Sequence, residues 1–347
     1  SRLLLRRPPG TGHLMSDPVL QVESLSVRFA VAGRWLQAVD GVSFTIDRAE
    51  TLGIVGESGS GKSTIAQAVL RLVPASGGRV SFRGADLLTL ERKTLRAARE
   101  HLQIIFQDPL ASLDPSMTVG EIIEEPLREH RPGLMATERR DRVLSMMERV
   151  GLLPTHLHRY PHEFSGGQAQ RIGIARALML DPELLVCDEP LSALDVSIRA
   201  QVATLLKDLQ QQLKIAILFI AHDLSAVRFS CDRVLVLYLG RVMEIAPRDA
   251  LFESPRHPYT CALMQSVPIP DPVRARARRT APLGGEIPSP LAPPSGCVFR
   301  TRCPLAELRC ERERPALRQV GDSLVACHRA EETRLGDVSN HTATGSS

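Results

Sequence analysis

The chain has few aromatic residues and no long apolar run, and each absence disfavours a class of function. Aromatics make up 4% of the 347 residues, with a single tryptophan, which disfavours an aromatic platform that stacks on nucleic-acid bases. The net charge of +4 is small for this length, so no nucleic-acid partner is expected. The longest apolar candidate, residues 215–221, is far too short to cross a bilayer. Residues 1–14 lack the apolar region of a secretory signal.

A glycine-rich run at residues 56–64 predicts a site for a phosphate chain. It follows the apolar run 51–55, typical of a buried strand, and precedes a helical pattern at 65–70. Glycine lets successive backbone N–H groups point at one anion, and a helix N-terminus adds positive field. The predicted nucleotide-binding residues are Gly56, Ser58, Gly59, Ser60, Gly61, Lys62, Ser63 and Thr64. Lys62 is placed to reach the β- and γ-phosphates and Ser63 to ligate Mg²⁺. A Gly/Ser-rich turn with a chance lysine is the weaker alternative.

Two adjacent carboxylates, Asp188 and Glu189, follow the apolar run 184–187. We expect Asp188 to hold Mg²⁺, directly or through water. Glu189 is expected to orient and deprotonate an attacking water. An acidic strand end without chemistry is the alternative, but the upstream phosphate loop favours the catalytic interpretation.

Hydrophobic periodicity predicts an α/β fold. Alternating patterns at 19–29 and 38–46, the second with an Asp40-Gly41 turn signal inside it, predict an antiparallel sheet beside the phosphate loop. Four apolar strands predict a mostly parallel sheet covered by helices; they lie at 102–106, 184–187, 215–221 and 234–237. Helices that separate these strands are expected at 169–180, before the strand at 184–187, and at 197–212, after it. Helical periodicity at 119–130 and 138–150 predicts a helical insertion.

The chain divides into segments of different composition. We expect a nucleotide-binding domain at 18–254, with a helical subdomain at about 108–165. Prolines from residue 255 onward predict a loop-rich C-terminal extension at 255–330. Residues 1–17 are interpreted as a linker or disordered N-terminus, and the polar residues 331–347 as a disordered tail.

The segment Phe164-Ser165-Gly166-Gly167-Gln168 resembles the signature motif of ATP-binding cassette (ABC) ATPases, with Phe164 where leucine is commoner. The resemblance covers about residues 19–251. It implies a RecA-like, mostly parallel core, an antiparallel β subdomain and an α-helical subdomain. It also implies that two cassettes pair head to tail. Ser165, Gly166, Gly167 and Gln168 of one chain would then close over the ATP held by the phosphate loop of a second ABC ATPase subunit or domain.

The resemblance assigns further residues. Gln107 is similar to the Q-loop glutamine, which contacts Mg²⁺ and the attacking water, and Asp195 lies in a D-loop-like segment at the implied dimer interface. His222 matches the switch histidine that contacts the γ-phosphate. Trp35 resembles the residue that stacks on adenine, although tryptophan more often packs in a core. Because Glu189, His222 and Ser165 are retained, ATP hydrolysis is expected, with Glu189, His222, Lys62 and Gln107 as the catalytic residues.

The C-terminal extension resembles that of ATP-binding subunits from oligopeptide, dipeptide and nickel importers. The matching segments are His257-Pro258-Tyr259-Thr260, Gly285-Glu286-Ile287-Pro288-Ser289-Pro290 and Pro293-Pro294-Ser295-Gly296-Cys297. The resemblance implies a peripheral protein on the cytoplasmic face of the cell membrane. Its implied partners are two transmembrane permease subunits and an extracytoplasmic substrate-binding protein. Three alternatives remain. They are a nickel importer ATPase, a soluble non-transport ABC ATPase, and a cassette subunit with a purely regulatory or scaffolding role.

Seven cysteines occur, and four of them crowd into the extension as Cys297-x5-Cys303-x6-Cys310-x16-Cys327. Four thiolates suit a 4Fe–4S cluster or zinc. The tight C-x2–4-C pairs of structural zinc sites are missing, and in some of the resembling importers this pattern is associated with a 4Fe–4S cluster. We therefore expect a 4Fe–4S cluster first, with zinc or structural thiols as alternatives. The expected function of the cluster is to cross-link and stabilise the loop-rich extension.

Overall fold

The computed structural model describes residues 17–265 and 286–333. Its strands are β1 (Leu20–Val31), β2 (Arg34–Ile46), β3 (Thr51–Val55), β4 (Gly77–Phe82), β5 (Ala85–Asp86), β6 (Leu102–Ile105), β7 (Leu184–Asp188), β8 (Ala216–Ile220), β9 (Arg233–Tyr238), β10 (Arg241–Pro247), β11 (Arg318–Val320) and β12 (Ser323–Val325). Its helices are α1 (Lys62–Val69), α2 (Arg92–Arg99), α3 (Val119–His130), α4 (Ala136–Arg149), α5 (Gly166–Leu178), α6 (Val196–Leu213), α7 (Leu224–Ser230), α8 (Arg248–Glu253), α9 (Pro258–Gln265) and α10 (Leu308–Arg312).

The larger of two sheets has the strand order β11-β12-β10-β9-β3-β8-β7-β6. Strands β9, β3, β8, β7 and β6 are parallel neighbours. Every residue of β3, β7 and β8 is buried, as expected for a parallel sheet covered on both faces. The predicted parallel core is therefore confirmed.

The smaller sheet is antiparallel, with the order β2-β1-β4-β5, as the sequence predicted. Its second strand differs in detail, because β2 begins at Arg34 and runs through Asp40-Gly41 without a turn. These two residues lie where the register against β1 shifts, between the pairs Val27–Val39 and Leu25–Val42. Gly41 has a positive φ of 68°, so the turn signal marks a β-bulge instead of a strand end.

The helical insertion is present as α3 and α4. A capping box starts α3, in which the Thr118 side chain accepts from the Glu121 backbone and Glu121 bonds back to Thr118. The basic segment 87–99 has a helical pattern in the sequence, but α2 begins only at Arg92, five residues into it. The Asp86 carboxylate accepts the N–H of Leu88 at 3.1 Å, a local turn that delays the helix.

The C-terminal extension adds two strands to the larger sheet. Strand β12 pairs with β10 at Glu244–Val325 and Ile245–Leu324, and β11 pairs with β12. Within 17–265 and 286–333, no helix is long and apolar enough to cross a bilayer. The predicted N-terminal linker and polar tail lie outside the described residues, apart from residues 17 and 331–333.

Candidate active site

The predicted phosphate loop connects the end of β3 to the start of α1, which begins at Lys62. Gly61 precedes the helix with φ 103°. A Cβ at Gly61 would lie 2.3 Å from the Ala38 carbonyl oxygen of β2, so only glycine fits there. The loop therefore presents the N-terminal end of α1 with no side chain over it at this position, the arrangement that binds anions.

Lys62 is folded back onto the loop. Its Nζ donates to the carbonyl oxygens of Gly56 and Glu57, each at 3.0 Å, and the residue is 5% exposed. Burial lowers the pKa of Lys62, while the charges of Glu189 and Asp188 oppose this shift. The charges of the predicted Mg²⁺ ligand Asp188 and the predicted base Glu189 thus act on the ammonium group.

Ser63 and Asp188, which the sequence predicts to hold Mg²⁺, lie side by side. The Ser63 hydroxyl donates to Asp188 Oδ1 at 2.8 Å. Asp188 ends β7 and is 7% exposed. Burial raises the pKa of Asp188, and the Ser63 hydrogen bond acts in the opposite direction. A hydroxyl and a carboxylate oxygen side by side match the hard oxygen ligands that Mg²⁺ prefers.

Glu189, Gln107 and His222 form one cluster. The Glu189 Oε2 atom lies 3.2 Å from Gln107 Nε2 and 3.2 Å from His222 Nδ1. The three residues follow the neighbouring strands β6, β7 and β8, at the carboxyl edge of the sheet where α/β proteins bind ligands. Glu189 has φ 47°, a strained backbone conformation of the kind found at functional sites.

The serine turn, residues 165–168, follows the helical insertion in the sequence and starts α5. The Ser165 hydroxyl accepts from the Gln168 N–H, and Gln168 Oε1 accepts from the Ser165 N–H at 3.1 Å. Ser165 and Gly166 are exposed. A Cβ at Gly167 would lie 2.4 Å from Ile198 of α6. In the part of the chain that the structure describes, no hydrogen bond joins this turn to residues 56–64.

Trp35 and Asp195 are also exposed. Trp35 lies inside β2, not before it, and 66% of it is accessible; the Arg28 guanidinium lies 5.6 Å from its ring centroid. The core interpretation of this tryptophan is therefore wrong. Asp195 precedes α6, beside Val196, which is 81% exposed. Both positions leave the side chains available to a ligand or a second chain.

The four cysteines of the extension line one small cavity of about 10 Å³, together with His257 and Phe299. Burial raises the pKa of the Cys303 and Cys327 thiols to about 12 and also raises that of Cys297. Across 17–265 and 286–333, no three His, Cys, Asp or Glu side chains are arranged to hold a metal ion. The donor set suits iron and sulfide, but the cavity is about one water in size, so the predicted cluster is not confirmed.

Two contacts that the sequence did not predict join the extension to the phosphate loop. Arg302 donates to both carboxylate oxygens of Glu57, at 2.7 and 3.0 Å. The Tyr259 hydroxyl accepts the Glu57 N–H at 2.9 Å. Neither partner lies in a pattern that marks a nucleotide site, and no sequence signal would have identified them.

Comparison with known families gives two matches. The model of the ABC transporter family matches residues 39–192. The model of the oligopeptide/dipeptide transporter C-terminal region matches residues 243–310, and so covers three of the four extension cysteines.

Known proteins resemble nearly the whole chain. The oligopeptide transport ATP-binding protein OppF of Salmonella typhimurium is 53% identical, over 89% of this chain and 95% of that protein. A putative peptide import ATP-binding protein of Brucella ovis is 54% identical, over 88% and 96%. Among solved structures, the dimeric cassette MJ0796 is 28% identical with a TM-score of 0.61, over 66% of this chain and 98% of that one. The cbiO1 protein of Clostridium perfringens is 31% identical with a TM-score of 0.62, over 68% and 91%.

Proposed function

Because this chain belongs to the ABC transporter family, with the C-terminal region of its oligopeptide/dipeptide members, we propose that it hydrolyses ATP to power peptide import across the cytoplasmic membrane. The observation that carries the proposal is the meeting of Ser63 with Asp188 and of Glu189 with Gln107 and His222. Peptides are named as the cargo because the similar proteins are named for peptide import.

Each residue of the site has a defined task in this proposal. Lys62 leaves the carbonyl oxygens that it now contacts and binds the β- and γ-phosphates. Ser63 and Asp188 hold Mg²⁺, which neutralises phosphate charge when it is bound. Glu189 accepts a proton from the attacking water. Gln107 and His222, which already contact Glu189, position the water and the γ-phosphate.

The serine turn and Asp195 serve a dimer. Ser165, Gly166, Gly167 and Gln168 close over the ATP of a second cassette, and Asp195 lies at the shared interface. The exposure of Ser165, and its lack of a hydrogen bond to its own phosphate loop among the described residues, support this arrangement. Trp35 stacks on adenine. The working assembly further contains two membrane permeases and an extracytoplasmic substrate-binding protein, with this chain peripheral on the cytoplasmic face.

We propose separately that the four cysteines of the extension hold a 4Fe–4S cluster. The support is that all four line one cavity and that thiolates are the usual ligands of such clusters. The cavity has to widen to admit it. Anaerobically purified protein should contain about four irons per chain and absorb broadly in the visible; protein without iron and with a featureless spectrum would rule the cluster out.

The test of hydrolysis is Glu189→Gln, with Glu183→Gln as its matched control. Glu183 directly precedes β7, whereas Glu189 follows it, so the control lies at the opposite end of the same strand. Glu189→Gln should bind ATP as the unaltered chain does and lose at least about a hundredfold in turnover, since general-base catalysis contributes about 10²–10⁴-fold. Glu183→Gln should hydrolyse normally. Undiminished turnover in Glu189→Gln would refute the assigned base.

A further inference from the structure

The phosphate loop is held from the C-terminal extension at Glu57. This residue is the second of the loop, and its carbonyl oxygen accepts from Lys62 Nζ at 3.0 Å. Its backbone N–H donates to Tyr259 of α9, and its carboxylate pairs with both terminal nitrogens of Arg302. The main chain and the side chain of Glu57 are thus both fixed by residues outside the cassette motifs.

The Arg302–Glu57 pair is shielded from solvent. The Arg302 side chain is 5% exposed and that of Glu57 is 22% exposed. Arg302 also donates to the Tyr238 hydroxyl at 3.4 Å and lies over the Tyr238 ring, with 5.8 Å from Cζ to the centroid. Burial acts to lower the pKa of Arg302, but its hydrogen bonds to Glu57 and Tyr238 and the charge of Glu57 together raise it above the usual value. A bidentate pair with this little water around it fixes direction as well as distance.

An aromatic cluster packs beside the Arg302–Glu57 pair. The rings of Tyr238, Tyr259 and Phe299 lie 4.8 to 5.4 Å apart, centroid to centroid. Tyr238 ends β9, and the Gly240 N–H just beyond it donates to the Ser60 carbonyl at 2.8 Å. The extension therefore contacts the loop at Glu57, and the residues just after β9 contact it at Ser60.

A second contact links the extension to the strand beside the loop. Arg314 donates to the Asp40 carboxylate and to the Asp40 carbonyl oxygen, each at 3.2 Å. Asp40 lies two residues after Ala38, whose carbonyl occupies the space where Gly61 would carry a Cβ. The extension thus braces the phosphate loop and the strand packed against it.

We propose that the C-terminal extension positions the phosphate loop for ATP through Arg302 and Tyr259, so that nucleotide affinity depends on a segment about 245 residues from the loop in sequence. This inference rests on the proposed ATPase function and adds two positioning residues to it. Without Arg302, the loop samples other conformations, and ATP has to select the competent one at a cost in apparent affinity.

The experiment compares the steady-state kinetics and ATP affinity of full-length Arg302→Gln, Glu57→Gln and the double variant. Arg302→Gln should raise the KM for ATP about tenfold, a change equivalent to about 1.4 kcal/mol, with kcat within about twofold. The double variant should bind ATP no more weakly than either single variant, because the two substitutions remove the same contact. Arg302→Lys should recover only part of the affinity, since lysine cannot form the bidentate pair.

The matched control is Arg309→Gln, which breaks an exposed pair with Glu313 inside the same extension and should leave KM unchanged. General destabilisation would lower kcat through a smaller active fraction and leave KM unchanged, so the split between KM and kcat separates the two explanations. Should Arg302→Gln fold poorly, Glu57→Gln and Arg302→Lys report the same contact. If these variants bind ATP as tightly as the unaltered chain, the inference is wrong. It is also wrong if the effects of the two single substitutions add up in the double variant. Neither result would bear on the proposed ATPase function. An unaltered chain that binds no ATP removes the proposed function as well.

Discussion

The replacement of Gly61 by alanine tests the packing of the phosphate loop against β2. Gly61 has φ 103°, and its added Cβ would lie 2.3 Å from the Ala38 carbonyl oxygen and 3.6 Å from Gly240 Cα. Since Cβ contacts below 3.0 Å essentially do not occur, backbone has to move. Gly59→Ala is the matched control, because Gly59 also has positive φ, of 76°, but has nothing within 4 Å of its Cβ position.

Both variants carry the cost of placing alanine at positive φ, about 1–2 kcal/mol. Only Gly61→Ala carries the clash, for which forced repacking costs about a further 1–3 kcal/mol. Gly61→Ala should therefore lower the free energy of unfolding by about 1–3 kcal/mol more than Gly59→Ala does. Urea unfolding without nucleotide, followed by far-UV circular dichroism, measures this difference. The single tryptophan, Trp35, is too exposed to report on folding by fluorescence. Equal unfolding midpoints for the two variants would refute the proposed steric role of Gly61.

Three further outcomes are expected. Trp35→Ala should weaken ATP binding about fivefold, within the range of an aromatic stacking contact, and Trp35→Phe should retain most of the affinity; equal binding by all three chains would contradict adenine stacking. Burial lowers the pKa of His257 to about 3, so below pH 6.5 the unfolded chain binds a proton that the native chain does not. The free energy of unfolding should then fall by about 1.4 kcal/mol for each pH unit from 6.5 toward 4, and His257→Asn should lack this contribution; identical slopes would show that His257 is not buried neutral. In iron-free protein, burial raises the pKa of Cys303 and Cys327 to about 12, so their alkylation should speed up about tenfold per pH unit between pH 8 and 10; a plateau near pH 9 would indicate ordinary exposed thiols.

The parts of the site that the sequence predicted are those set by short-range order. The phosphate loop follows a buried strand and starts a helix, so the local sequence is enough to recognise it. Asp188, Gln107 and His222 end apolar strands, and parallel strands bring such ends to one edge of the sheet. Their convergence therefore followed once the strands were recognised.

The features that the sequence did not predict depend on distant residues. The Arg302–Glu57 pair joins segments 245 residues apart, and nothing in either local pattern marks the other. Strand β10 was not predicted. It carries Glu244, a charged residue that is nevertheless 0% exposed. Its carboxylate accepts the N–H groups of Arg256 and His257 at 2.9 and 3.0 Å. A buried carboxylate whose hydrogen-bond donors all lie outside its own strand looks like a surface residue in the sequence.

The most direct test of the account is the ATP-dependent association of two cassettes. Glu189→Gln chains, together with their partner cassette if it is a different protein, are sedimented with ATP and Mg²⁺ at increasing protein concentration. The account predicts a dimer that forms only with nucleotide, and that Ser165→Arg abolishes while ATP binding to the single chain persists. Association that is indifferent to ATP, or that survives Ser165→Arg, would contradict a nucleotide held between the phosphate loop of one chain and the serine turn of another.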